Sequence, residues 1–87
     1  MEIAELVEKA HERMLERIEI LGKITSSEEG LTREFLSPAM DRAASLLLQW
    51  MTSAGLAVTI DPMMNVVGKW PGRLASGPAL HLGSHYD

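Results

Sequence analysis

The sequence predicts an α/β fold in which two helices precede a β-hairpin and a further strand. Three observations carry this. Residues 2–22 place apolar side chains at helical spacing, a Ser37-Pro38 pair opens a second helical run, and after Gly55 the apolar period changes to two. The order helix, helix, hairpin, strand is that of an α/β layer whose sheet is incomplete.

The first helix is expected from Glu2 to Gly22. Ile3, Leu6, Val7, Ala10, Met14, Ile18 and Leu21 recur at three- and four-residue steps and line one face. Glu5 with Lys9 and Glu19 with Lys23 are i,i+4 pairs in the favourable order. Such pairing accounts for the charges as a solvated outer face, with a partner-binding surface as the alternative. Gly22 marks the stop, and residues 23–36 form a polar connection that turns at Gly30.

Ser37 can accept from the free N–H groups of a helix start, and Pro38 presets the φ angle of the first helical position. The second helix then runs to Ala54, and Gly55 supplies a left-handed end. Leu46, Leu47, Leu48, Trp50 and Met51 make it apolar around much of its circumference. It is therefore the more deeply buried helix, and its Met and Trp residues read as core packing.

Leu56, Val58 and Ile60 alternate with Ala57, Thr59 and Asp61, the pattern of a half-buried strand. Asp61 to Asn65 is a turn, because Pro62 cannot sit inside a sheet ladder. Val66 to Trp70 is the returning strand, Pro71 to Pro78 a loop, and Ala79 to Gly83 a further short strand. A sheet of three strands would carry an open edge.

Composition excludes several classes. The 87 residues form one domain, 46% of them apolar, with no cysteine and a net charge of −4. The acidic balance disfavours nucleic-acid binding, and no apolar run approaches the ~20 residues that span a bilayer. The acidic opening is unlike a secretory signal, so the expected location is the cytoplasm.

The one motif with chemistry is His85-x-Asp87 after a strand-length run. Ligand sites of open α/β sheets lie beyond the carboxyl ends of strands. A histidine there can offer one ring nitrogen to a metal, and an aspartate two residues on can accept from the other and fix the tautomer. Small Gly83 and Ser84 leave room for close approach. The other reading is a frayed, solvated tail. His81 reads as a hydrogen-bonded core or sheet-face residue, and His11 as solvated. Arg33 reads as a local cap or ion pair, with carboxylate binding as the alternative. Adjacent strand residues face opposite ways, so Ser84 and His85 do not form a nucleophile and its base.

Several stretches together, in order and at matching spacing, resemble one family: Leu31-Thr32-Arg33, Trp50-Met51, Asp61, Asn65-Val66-Val67-Gly68 and Gly83-Ser84-His85-x-Asp87. This is the amidohydrolase group of allantoate amidohydrolase, N-carbamoyl-L-amino-acid hydrolase and β-ureidopropionase, within the aminoacylase and carboxypeptidase-like dinuclear metallohydrolases. The resemblance runs from about Leu21 to Asp87. It implies that residues 1–87 are a partial, N-terminal part of a metallohydrolase catalytic domain, with residues 79–83 as its first core strand. His85 would be the first metal ligand and Asp87 the acid that orients it. The implied metals are zinc, manganese, cobalt or nickel, and the substrate is a small ureido acid cleaved at a C–N bond. The intact family is expected to be homodimeric.

The bridging aspartate, paired glutamates and further histidines of the family lie later in its pattern. Nothing upstream replaces them, since Asp61 falls at a turn and the glutamates of the first helix face solvent. The expectation is therefore weak or no metal binding and no catalytic residue within this chain, which would be inactive alone. A non-catalytic relic that self-associates through its sheet edge is one alternative, and a fragment of an aminoacylase or peptidase relative is another. Two departures from the family stand out. Met64 precedes Asn65 where glycine is usual, so a positive φ there would be strained. The family motif also continues past its aspartate with Thr and small residues, where this sequence stops at Asp87.

Overall fold

The computed structural model describes residues 2–72 and 77–87. It contains α1 (Ile3–Gly22), α2 (Pro38–Ser53), β1 (Ala57–Ile60) and β2 (Val66–Lys69), the strands paired as one antiparallel hairpin. The mixed α/β class and the first four elements stand where the sequence put them, within a residue or two. Residues 73–76 of the expected loop lie outside the described residues.

Helix α2 forms as its capping residues dictate. The Ser37 Oγ accepts from the Met40 N–H at 3.1 Å, Pro38 is the first helical residue, and Gly55 follows the end at φ +93°. Its buried face, Ala39, Met40, Ala43 and Ala44, is the whole fully buried core among the described residues. Small alanines let the helix approach closely, and α2 packs against both strands of the hairpin. Gly68 of β2 sits under this contact. A Cβ there would overlap the Met51 Cε and come within 3.0 Å of the Leu56 Cδ1.

The expected burial order of the helices holds, because α1 contains no buried residue. Its apolar stripe is uncovered, with Ile3 80% exposed. The Arg17 guanidinium stacks over the Trp50 ring of α2, 5.1 Å from the centroid. Gly22 ends α1 without the left-handed turn that usually makes glycine a stop. Instead the Ile24 N–H bonds the Leu21 carbonyl at 3.1 Å and tightens the last turn.

One expected element is absent. Residues 79–83 join no ladder, and Leu80 and Leu82 are 88% and 89% exposed. A strand exists only through hydrogen bonds to a neighbour, and the described residues offer this run none. His81 is accordingly exposed, and not the core or sheet-face residue its apolar surroundings suggested.

Candidate functional site

The hairpin turn builds one wall of the site. Asp61 accepts at Oδ1 from the Met63 and Asn65 N–H groups, both at 2.9 Å, and at Oδ2 from the Asn65 amide at 2.8 Å. The Asn65 side chain first, then its backbone N–H and that of Met63, holds the Asp61 carboxyl below the usual carboxylate range. A carboxylate so committed forms the turn, where its position in the sequence put it. The turn closes with the Met64 N–H on the Asp61 carbonyl at 2.9 Å, and Met64 takes φ +67°. The positive φ foreseen for this departure from glycine is thus present.

The segment around His85 is pinned to that turn at two points. The Tyr86 hydroxyl donates to the Met64 carbonyl. The Arg33 Nε donates to the Tyr86 carbonyl at 2.7 Å. The same guanidinium donates through one terminal nitrogen to the carbonyls of Leu21, at 2.6 Å, and Ile24, at 3.1 Å. It thereby caps the end of α1, where a cation also complements the helix dipole. The local capping expected for Arg33 is present, and its reach to Tyr86 is additional.

His85 and Asp87 flank Tyr86 and point into solvent. The His85 Nδ1 lies 3.6 Å from the Asp87 Oδ1, within ion-pair range and beyond a hydrogen bond. The His85 side chain is 85% exposed, so it contributes nothing to packing. Both border an open cleft with Phe35, Met40, Met63 and Asn65. Tyr86 is half-buried, and burial raises its phenol above the ordinary value, helped by the carboxylates of Asp41, Asp87 and Asp61. Nothing in the composition singled out Tyr86. The available signal was its place between His85 and Asp87, since alternation turns the middle residue toward the body of the protein.

A donor set of one imidazole with one adjacent carboxylate fits a corner of a metal centre. No group of three or more His, Cys, Asp or Glu side chains is gathered among the described residues. A catalytic zinc takes three protein ligands, so the residues present do not make a whole site.

Comparison with known proteins finds two groups of longer relatives. The chain is 44% identical to a probable allantoate deiminase of Oryza sativa subsp. japonica over 71 residues, 82% of this chain and 14% of that protein. It is 45% identical over 71 residues to allantoate deiminase 2 of Glycine max, spanning 15% of it. This chain is similar to a segment of allantoate deiminases and of N-carbamoyl-L-amino-acid amidohydrolases. Among the latter, the enzyme of Pseudomonas sp. (strain NS671) is 42% identical over 78 residues, 87% of this chain and 19% of that protein. The chain thus spans less than a fifth of the length of these amidohydrolase relatives. No family model matches it, and no solved structure does. No helix among the described residues is long and apolar enough to cross a membrane.

Proposed function

We propose that these residues are the N-terminal part of the catalytic domain of a dinuclear metal-dependent amidohydrolase, acting on C–N bonds of N-carbamoyl amino acids or allantoate. The observation that carries this is 44–45% identity to allantoate deiminases across 82% of the chain. In the assembled enzyme His85 offers one imidazole nitrogen to the metal centre. Asp87 accepts from the other ring nitrogen, which holds the neutral tautomer and the ring orientation. The exposure of His85 and its 3.6 Å approach to Asp87 support these roles. When bound, the metal ions polarise the scissile carbonyl and activate water. The remaining ligands and the general base come from segments outside these 87 residues.

The isolated chain is inactive on this reading, because one histidine and one carboxylate cannot complete the centre. Incubated with zinc, manganese or cobalt, it releases no ammonia from an N-carbamoyl-L-amino acid or allantoate. Metal-dependent release abolished in a His85→Ala control would overturn the claim that the site is incomplete.

A further inference from the structure

We infer that Arg33 is a positioning residue for the His85–Asp87 pair, acting through Tyr86; this rests on the proposed role of His85 at a metal. The residue that would meet a metal has little packing of its own, the His85 side chain being 85% exposed. What fixes it and Asp87 is the residue between them. Tyr86 is held at its carbonyl by the Arg33 Nε at 2.7 Å and at its hydroxyl by the Met64 carbonyl. Arg33 is itself immobilised by the Leu21 and Ile24 carbonyls, so the clamp is anchored on the end of α1. Three parts of the chain, at residues 21–24, 33 and 86, are joined by one planar side chain.

Lysine cannot replace this geometry. A single ammonium on a flexible stem does not present the rigid fork that reaches carbonyls on opposite sides. Met64 completes the arrangement from the other end. Its left-handed φ of +67° belongs to the same turn residue whose carbonyl receives the Tyr86 hydroxyl. With both bonds made, His85 and Asp87 leave a fixed backbone in a defined direction. With either broken, the segment after Gly83 is tethered at one point only.

The test measures 15N order parameters of the chain, and separately the broadening of the three histidine ring signals by added Mn2+. The clamp predicts values near the ~0.85 of rigid backbone at His85 and Tyr86 in the wild type. Arg33→Met and Arg33→Lys should both drop them below the ~0.6 of flexible backbone, with hairpin amides unchanged. Tyr86→Phe should lower them in part. Free-tail values in the wild type, or rigid values retained in the Arg33 variants, would overturn the proposal. If Arg33→Met loses the hairpin signals as well, Arg33→Lys and Tyr86→Phe decide the matter. The Mn2+ experiment reads function: broadening should favour His85 over His11 and His81 in the wild type and lose that preference in Arg33→Lys. A rigid wild-type segment with no preference for His85 contradicts the metal role while leaving the clamp standing.

Discussion

The hydroxyl of Tyr86 donates to the main-chain carbonyl of Met64, joining the residue between the two candidate site residues to the tip of the hairpin 22 positions earlier. The bond is made by a phenol that burial and three nearby carboxylates hold in its protonated form. A net hydrogen bond in a partly solvated place contributes about 1 kcal/mol. Tyr86→Phe should therefore lower stability by roughly that amount, read as a shift of the urea midpoint at unchanged slope.

The same residue gives an alkaline signature. The folded pKa of Tyr86 is raised above the ordinary phenol value of 10.0, so the folded chain binds this proton more tightly than the unfolded one. The contribution is complete below pH 10 and is lost as pH rises through the raised value. The chain has a single tyrosine, so absorbance of the phenolate reports it alone. The titration should fall at higher pH in buffer than in 8 M urea, used here only as a denaturing reference of roughly that strength. Coincident curves would contradict the placement of Tyr86.

Asp61 gives the acid counterpart. Its folded pKa is depressed from the ordinary carboxyl value of 3.8, so its stabilisation is present above that pH and is lost as pH falls through the lowered value. Cross-strand contacts between Thr59 and Val67 and between Ile60 and Val66, followed by NMR, should weaken over that window. Asp61→Ala should weaken them at neutral pH.

Met64 carries strain that glycine would relieve. A non-glycine residue in the left-handed region costs of order 1 kcal/mol. Met64→Gly keeps the carbonyl that Tyr86 uses and should raise the melting midpoint of the hairpin. A fall instead would mean that the methionine side chain, which lines the cleft, contributes more by packing than its backbone loses.

Gly68 tests the seating of α2 on the hairpin. An added Cβ meets Met51 and Leu56. The Met51 terminus can swing aside, so Gly68→Ala should cost about 1 kcal/mol and Gly68→Val up to about 3 by overpacking. Thermal unfolding followed by helical circular dichroism would read the difference.

Much of this fold was legible because its cues are local. Ser37 with Pro38, Gly55, and the Asp61-to-Asn65 turn each act within five residues, and each works where the sequence put it. The failure at residues 79–83 has the opposite cause. Apolar content makes a strand conceivable, but only a neighbouring edge makes one, and no neighbour is present among the described residues. The partners of Arg33 were partly hidden for the same reason, since Tyr86 is 53 positions away. The exposed stripe of α1 was legible as a stripe, though not as an uncovered one. His85 and Asp87 are proposed from their motif, and the Arg33–Tyr86–Met64 contacts beside them were visible only in three dimensions.

The measurement that tests the central claim most directly replaces the matching segment of the Glycine max allantoate deiminase 2 with this chain. The hybrid, purified with manganese, is assayed for ammonia release from allantoate alongside its metal content. The account predicts an active hybrid and loss of activity and of bound metal in its His85→Ala form. A folded hybrid whose His85→Ala form keeps full activity and full metal content would contradict it.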